Sequence, residues 1–322
     1  MNIDQMARWL EHQLPERLAG CNLTPGKTRA TYVMNRGGFV NRSFEVSDGT
    51  VRYHLKLSED ADFLRAFRDT HEILQRLYHA PALIRWVEFP EIGYTGLLQR
   101  HVNGRRFSFQ NDAGLLPQLI ETADHLHHDT ELRGYLAATG MPRSRLDYFA
   151  GTYIDRFTID LEGLADERPA FISESLLRWM QDEVRQLEEA AALVTGFHDL
   201  AVDAVHGDLH EGNILVAGDE WFIVDWDDLS LGDPAVEFAI LIWPVVYATG
   251  RSWQSFGLPS NDMDFGERIT VSLRAQLLDA VIDSLADYVD ARIVPERMAE
   301  IQDVKRREHE RALELYQRLW PA

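Results

Sequence analysis

The stretch VHGDLHEGNILV, residues 205–216, decides the fold, and WFIVDWD, residues 221–227, follows it after a short turn. Both stretches contain short apolar runs typical of strands, so together they predict a β-hairpin that turns at residues 217–220. Asp208 and Asn213 precede this hairpin, and Asp225 follows it. Three oxygen-bearing side chains can therefore converge.

Such a group of oxygen-bearing side chains suits phosphoryl transfer. Mg²⁺ prefers hard oxygen ligands, and an acceptor hydroxyl needs a carboxylate that orients it and takes its proton. The alternative is an ordinary polar loop followed by a hairpin. The number of positions that fit at once favours the chemical interpretation.

The motif His-Gly-Asp-Leu-His-x-Gly-Asn-Ile-Leu, with a later Asp-Trp-Asp, resembles the aminoglycoside phosphotransferase and choline kinase-like family, which are small-molecule relatives of protein kinases. Asp208 to Asn213 reproduces the Asp-x-x-x-x-Asn spacing of the kinase catalytic loop. The resemblance implies that Asp208 is the catalytic base and that Asn213 and Asp225 hold Mg²⁺. It also implies that His206 braces the catalytic loop.

The segment LGDPAVE, residues 231–237, resembles the Gly-Asp-Pro segment of the same family, in which Asp233 is expected to fix loop backbone. Two positions depart from the family pattern. Glu211 stands where proline is common, and Glu237 stands where aspartate is frequent. Neither departure removes a catalytic oxygen.

The N-terminal half resembles the family more weakly, but in the right order. Gly37, Gly38 and Asn41 lie between two predicted strands and resemble a shortened nucleotide loop, in which glycines let backbone approach phosphate. A plain hairpin turn is the alternative. In residues 51–57 apolar and polar residues alternate, which predicts a strand with Lys56 on the face opposite the core. The resemblance implies that Lys56 contacts the α- and β-phosphates of the nucleotide.

Two further parts of the nucleotide site follow from the resemblance. Glu72, on a predicted helix over residues 60–79, is the best candidate for an ion pair with Lys56, although Glu59 and Asp69 are within reach by sequence. Gln99 and His101 belong to the predicted hinge, residues 99–102, whose backbone would hydrogen-bond adenine.

The strand and helix patterns predict an α+β protein, and the resemblance implies a two-lobed, protein kinase-like fold. Residues 1–100 would form an N-terminal nucleotide-binding lobe built on an antiparallel sheet. Residues 101–322 would form a larger, mainly helical C-terminal lobe that carries catalysis and acceptor binding, with ATP between the two lobes. The histidine cluster of His125, His127 and His128 is expected to be solvated or packed rather than to bind zinc.

Composition limits the partners and the compartment. The 322 residues carry a net charge of −20, which disfavours nucleic acid and anionic membranes and favours cationic ligands, although acidity can also serve solubility alone. Cys21 is the single cysteine, and no apolar stretch reaches the roughly 20 residues that cross a bilayer. We therefore expect a soluble, cytoplasmic enzyme without a signal peptide; its oligomeric state is open.

Three functions are compatible with the sequence. The leading one is an ATP- and Mg²⁺-dependent kinase that phosphorylates a hydroxyl of a small molecule, either an antibiotic such as an aminoglycoside, with resistance as the consequence, or an amino alcohol or sugar metabolite. The second is a bacterial stress-response-type protein Ser/Thr kinase, and the third is a nucleotide-binding pseudokinase. The joint presence of Lys56, Asp208, Asn213 and Asp225 disfavours the third.

Overall fold

The computed structural model describes residues 1–33, 41–259, 264–293 and 297–320. The chain divides into two compact units, each built from two separate stretches of sequence. The first unit comprises Met1–Gly114 and His206–Ser230, and the second comprises Leu115–Val205 and Leu231–Ala322. The sequence-based division into residues 1–100 and 101–322 stays a prediction.

The first unit contains a five-stranded antiparallel sheet in the order β1-β2-β3-β5-β4. Asp48 and Gly49 make the predicted tight turn between β2 and β3, with Gly49 at φ +88°. The sequence did not predict β4, because buried and exposed residues do not alternate regularly along it. The strands are β1 (Arg29–Val33), β2 (Arg42–Ser47), β3 (Arg52–Ser58), β4 (Leu83–Phe89) and β5 (Tyr94–Arg100).

One face of this sheet is covered by the N-terminal helix α1 (Ile3–Arg17). Asn2 caps the helix with a reciprocal capping box to Gln5, which explains why helix begins so close to the N-terminus. Its buried stripe packs with strand residues that include Phe44, Leu55 and Leu57. This cluster is the hydrophobic core of the first unit.

The rest of the first unit consists of a helix and a small sheet. Helix α2 (Asp62–Leu77) follows β3 and has a strongly amphipathic sequence. A three-stranded antiparallel sheet in the order β6-β8-β9 contains the predicted hairpin. Its strands are β6 (Arg105–Arg106), β8 (Ile214–Ala217) and β9 (Glu220–Ile223).

The second unit is mainly helical around a large apolar core. Its longest described helix, α9, packs against α8 and α10, and a single π-helical turn, residues 150–154, joins α5 to α6. The helices are α3 (Leu116–His128), α4 (Thr130–Thr139), α5 (Arg145–Phe149), α6 (Asp155–Asp166), α7 (Glu174–Leu193), α8 (Pro234–Thr249), α9 (Phe265–Asp290) and α10 (Met298–Leu319). Two short strands, β7 (Asp203–Val205) and β10 (Ser230–Gly232), pair with each other.

The predicted α+β class is confirmed: an antiparallel sheet dominates the N-terminal part and helices dominate the remainder. Among the described residues, no helix is both long enough and apolar enough to cross a bilayer.

Candidate active site

His206 supports the predicted catalytic loop, residues 208–213, from inside the first unit. Its ring is fully buried, and its Nδ1 accepts a hydrogen bond from the backbone N–H of Asp208 at 3.2 Å. Because Nδ1 accepts, the neutral ring carries its proton on Nε2, which donates to the carbonyl of Val224 at 3.0 Å. The imidazole thus joins the residue before Asp225 to the backbone of Asp208, as expected for a bracing residue.

Gly207 lets two backbone segments approach each other beside this imidazole. Its φ is +87°, in the left-handed region that favours glycine. A Cβ at this position would lie 2.6 Å from the backbone oxygen of Asp228. Any other residue would separate the catalytic loop from the segment that follows Asp225.

Asp208 and Asn213 are brought together directly. The Asn213 amide nitrogen donates to both the backbone oxygen and Oδ2 of Asp208, each at 2.9 Å. Both bonds are donated by the amide nitrogen of Asn213, so neither of them occupies its amide oxygen. The Asp208 carboxylate remains about half exposed, so an acceptor hydroxyl could reach it.

His210 also lies beside Asp208, a contact that the sequence analysis missed. Its Nδ1 accepts from the Gly212 backbone N–H at 3.0 Å, and its Nε2 lies 3.4 Å from Asp208 Oδ2. Burial alone would lower the pKa of His210, but hydrogen bonding and attraction to Asp208, together with attraction to Asp225, outweigh it and raise that pKa. Because Nδ1 accepts, the ring carries a proton on Nε2 and presents it to the carboxylate of the predicted base.

Asp225 is held in an unusual backbone conformation after β9. Its φ is +67°, a left-handed value that costs about 1–2 kcal/mol for most L-residues and is tolerated best by Asn and Asp. The preceding strand is fixed to the end of α2, where the His79 carbonyl accepts from the Ile223 N–H at 3.1 Å and the His79 ring stacks on Trp221. The strand that leads to Asp225 is thereby held by a hydrogen bond and a ring contact to His79.

Lys56 forms ion pairs with both Asp225 and Asp227. It lies on the face of β3 opposite the core residues Leu55 and Leu57, as the alternation predicts, yet its side chain is only 10% exposed because the two carboxylates cover it. Burial would lower the pKa of the Lys56 ammonium, but the attraction of Asp227 and Asp225 outweighs burial and raises it. Lys56 is therefore charged at neutral pH.

The two carboxylates respond differently to the same lysine. Burial would raise the pKa of Asp225, but attraction and hydrogen bonding to Lys56 bring it below its ordinary value. For Asp227 burial prevails over the opposing attraction of Lys56 and, with repulsion from Asp225, raises the pKa to about 6. Nearby, burial and then repulsion from Lys56 lower the pKa of His54 to about 4. Burial is thus the largest influence on the pKa of each of these groups, and the charge of Lys56 is the next.

Asn41, the last residue of the predicted nucleotide loop, reaches the same cluster. Its amide nitrogen donates to Asp227 Oδ2 at 2.6 Å. Its amide oxygen is buried and has no hydrogen-bond partner in the described part of the chain. Gly37 and Gly38 lie outside the described residues, so their predicted contact with phosphate stays a prediction.

The expected ion pair between Lys56 and Glu72 is not formed. Glu72 is exposed on α2, and the carboxylates that reach Lys56 among the described residues come from the segment after β9. The physical reason is proximity: Asp225 and Asp227 occupy the ammonium directly. Any role of Glu72 in nucleotide binding stays a prediction.

The predicted hinge residues lie at the end of β5. Gln99 pairs with His54 on one side and Leu83 on the other, so its backbone belongs to the sheet. His101 follows the strand, with its ring 4.0 Å from Glu45 Oε2, and burial lowers its pKa more than Glu45 raises it. Adenine recognition by these residues stays a prediction. Of the two, only His101 has its backbone outside the paired strands of the sheet.

The side chains at this site are of the chemical types that bind Mg²⁺. Asp225 offers a carboxylate and Asn213 an amide oxygen, which are hard ligands of the type that Mg²⁺ takes together with phosphate oxygens and water. No group of three or more His, Cys, Asp or Glu side chains in the described ranges has the arrangement of a metal site. A metal at Asp225 and Asn213 would therefore rely on ligands from a bound nucleotide, as in kinases.

In the second unit, Asp233 follows β10 and holds the backbone and a buried side chain in place. Its carboxylate caps α8 through the Ala235 N–H and pairs with the fully buried Arg268 at 2.8 Å. Glu237 accepts from the buried ring of His127 at 2.9 Å. The histidine and the glutamate thus satisfy each other inside the helical core.

Asp227 and His210 are the site residues that sequence reasoning did not assign. A signal existed for each, because each stands only two residues from a predicted functional aspartate and is therefore close to it in space. The pairing of Asp227 with Asn41 and Lys56 joins residues that lie far apart in sequence. Only the folded structure reveals it.

The antiparallel sheet with its buried lysine, followed by the predicted catalytic loop and a β-hairpin that ends near an aspartate, is the arrangement of a protein kinase-like fold. Residues 31–257 match the model of the phosphotransferase enzyme family. The chain belongs to this family and is an enzyme that phosphorylates a hydroxyl. The family and the similar structures support a small-molecule phosphotransferase.

Several solved structures share the fold at low sequence identity. Aminoglycoside 2'-phosphotransferase-IIIa, solved with GDP, is 14% identical with a TM-score of 0.61 over 97% of this chain and 97% of that chain. A Plasmodium vivax ethanolamine kinase is 13% identical with a TM-score of 0.59 over 97% and 89%. A spectinomycin phosphotransferase, solved with ADP and spectinomycin, is 12% identical with a TM-score of 0.58 over 98% and 98%. No curated protein sequence matches the chain.

Proposed function

We propose that the protein transfers the γ-phosphoryl group of ATP to a hydroxyl of a small molecule in a Mg²⁺-dependent reaction. The observation that carries this proposal is the direct contact between the predicted elements of the site: Asn213 holds Asp208, and Lys56 pairs with Asp225. These are the side-chain types that phosphoryl transfer requires for base, metal and phosphate.

Each residue has a defined part in this proposal. Asp208 orients the acceptor hydroxyl and takes its proton, while Asn213 and Asp225 hold Mg²⁺, which neutralises the phosphates when bound. Lys56 contacts the phosphates through its ammonium group. The loop residues Gly37, Gly38 and Asn41 approach the phosphates, and the hinge residues Gln99 and His101 flank adenine.

Nucleotide binding is the first test. Thermal unfolding should be measured with non-hydrolysable ATP and GTP analogues, each with and without Mg²⁺; a ligand at 100 times its Kd stabilises by about 2.7 kcal/mol. We expect stabilisation by the ATP analogue that increases with Mg²⁺. Failure of every nucleotide to stabilise the protein would contradict the proposal, and a preference for the GTP analogue would change its donor.

The acceptor is proposed to carry an ammonium group. The similar enzymes include kinases named for ethanolamine and for aminoglycosides, both of which carry amines. In this chain, the Asp228 side chain is exposed to solvent near the base, while protein atoms around it partly desolvate its carboxylate. This desolvation and repulsion from Asp208 raise its pKa. With a chain charge of −20, this carboxylate pair gives a negative potential that attracts cations.

Salt dependence separates a cationic acceptor from a neutral one. Screening shortens the Debye length from about 10 Å at 0.1 M to about 3 Å at 1 M, so kcat/KM for an amino alcohol should fall along this series. Asp228→Asn should raise KM for the amino alcohol several-fold and leave KM for a matched neutral alcohol unchanged, while the exposed-turn variant Asp219→Asn serves as control. Best turnover of a neutral sugar without salt dependence would refute the cationic acceptor.

Two other outcomes of an acceptor screen would redirect the proposal. Phosphorylation of a protein substrate in preference to every small alcohol would indicate the protein Ser/Thr kinase alternative. Nucleotide binding without transfer to any acceptor, including water, would indicate a pseudokinase.

We place the enzyme in the cytoplasm, where its single thiol, Cys21, stays reduced.

A further inference from the structure

Lys56 is held from the segment that follows β9 rather than from α2. Its ammonium pairs with Asp225 and with Asp227, and it is only 10% exposed. Glu72, the acid expected to hold it, is exposed on α2. A buried ammonium must keep a carboxylate partner to offset the loss of water, so the source of that carboxylate determines where the lysine points.

The two partners of Lys56 are not equivalent. Asp225 is 32% exposed, whereas Asp227 is 12% exposed and lies deeper in the cluster. In the proposed reaction Asp225 is a ligand of Mg²⁺, so its oxygens are shared with the metal whenever the nucleotide is bound. Asp227 is then the carboxylate that stays with Lys56 throughout.

Asp227 is also anchored from the opposite direction. Asn41 donates to Asp227 Oδ2 at 2.6 Å, so the end of the predicted nucleotide loop, the β3 lysine and the segment after β9 meet at one carboxylate. A carboxylate with two partners on separate elements has little freedom to rotate. It can fix the lysine and the loop in a constant relation.

From this geometry we infer that Asp227 is the positioning residue for Lys56, in the place expected for Glu72, and that Asn41 couples the nucleotide loop to the same carboxylate. The inference rests on the proposed function for its catalytic consequence. Asp227 itself does not touch the reacting atoms; it acts by holding Lys56 toward the phosphates while Asp225 serves the metal.

Lysine reactivity tests this inference without relying on catalysis. The chain has only three lysines, Lys27, Lys56 and Lys305, so acetylation by an N-hydroxysuccinimide ester can be followed at each one by mass spectrometry. Asp227→Asn should speed acetylation of Lys56 at least threefold, because the ammonium loses a buried partner, while the other two lysines react as in the wild type.

Matched variants keep this experiment decisive. Asp219→Asn makes the same chemical change in an exposed turn and should leave the Lys56 rate unaltered, and Asn41→Ala should speed it less than Asp227→Asn does. An unchanged Lys56 rate in Asp227→Asn would overturn the inference. An increase caused by Glu72→Gln instead would also overturn it, since α2 would then hold the lysine.

Kinetics supply the catalytic readout. Asp227→Asn should lower kcat/KM at least tenfold while the Mg²⁺ concentration for half-maximal activity stays within twofold of the wild type, and Asp227→Glu should recover part of the loss. A several-fold rise in the Mg²⁺ requirement would make Asp227 a metal ligand and overturn the positioning role. If the wild type binds no nucleotide, the proposed function fails, while the acetylation rates still decide what holds Lys56.

Discussion

The buried imidazole of His206 allows its two hydrogen bonds to be removed one at a time. Asn at this position can place an oxygen near the site of Nδ1 and keep the acceptor for the Asp208 N–H. Gln can place its amide nitrogen near the site of Nε2 and keep the donor to the Val224 carbonyl. Each variant therefore loses one bond and leaves one buried backbone group without its partner.

The magnitude follows from burial. An unsatisfied buried backbone group costs about 1–3 kcal/mol, so His206→Asn and His206→Gln should each destabilise the protein by roughly that amount. His206→Ala loses both bonds and the ring contact with Trp226, and should cost about 3–5 kcal/mol. Urea unfolding followed by tryptophan fluorescence measures these differences, with the exposed His12 substituted in the same way as control.

The kinetic defects should differ between the two amides. His206→Gln releases the backbone of Asp208, so kcat should fall about tenfold, equivalent to 1.4 kcal/mol, with little change in the Mg²⁺ requirement. His206→Asn releases the carbonyl that precedes Asp225, so the Mg²⁺ concentration for half-maximal activity should rise. Identical defects in the two variants, or wild-type stability in both, would refute the bracing role derived from these bonds.

Three further predictions concern single carboxylates. Asp208→Ala should abolish acceptor phosphorylation and leave MgATP affinity little changed; near-wild-type turnover in a coupled assay would exclude this residue as the base. Asp225→Asn should severely lower activity and raise the Mg²⁺ requirement, with Mn²⁺ replacing Mg²⁺ and Zn²⁺ failing to do so; full activity in chelator would contradict this. In the second unit, burial and then repulsion from Asp279 raise the pKa of Asp283 to about 6, above its unfolded value of 3.8, so this carboxylate destabilises the fold above pH 6 and the penalty disappears as pH falls toward 4. Asp283→Asn should therefore raise stability by about 1–3 kcal/mol at pH 7.5 and by nothing near pH 4, a difference that thermal unfolding at the two pH values would reveal.

The local patterns that specify the fold are readable wherever one period dominates. Alternation around Lys56 predicts β3, the apolar runs on either side of residues 217–220 predict the hairpin, and Asp48-Gly49 predicts the turn that joins β2 to β3. Strand β4 was missed because two consecutive residues, Ile84 and Arg85, are exposed, and a bulge interrupts its register there. A bulge removes the alternation on which strand prediction depends.

The candidate site could likewise be predicted from the sequence only where its residues lie close together in the chain. The spacing of Asp208, Asn213 and Asp225 is local to one loop and one hairpin, so sequence alone relates them. The partner of Lys56 is set by the approach of two segments separated by about 170 residues, and no periodicity reports such an approach. The expectation that Glu72 would pair with this lysine came from resemblance, and the folded chain places other carboxylates closer.

The left-handed backbone at Asp225 has a consequence for how this enzyme can lose activity. Glycine adopts φ +67° at no steric cost, so Asp225→Gly would remove the carboxylate that we propose as a metal ligand and also relieve a local strain of about 1 kcal/mol. Removal of Asp225 costs Lys56 one of its two ion pairs, but the pair with Asp227 remains and the repulsion between the two carboxylates is lost. These changes and the relief of strain act against the flexibility that glycine adds to the unfolded chain. Stability selection alone would therefore not preserve this residue: a protein sorted for solubility or thermal tolerance, without an activity requirement, could drift to an inert form that folds as well as its parent. Comparing the unfolding temperatures of Asp225→Gly and Asp225→Ala tests this, because alanine keeps the strain and should melt lower.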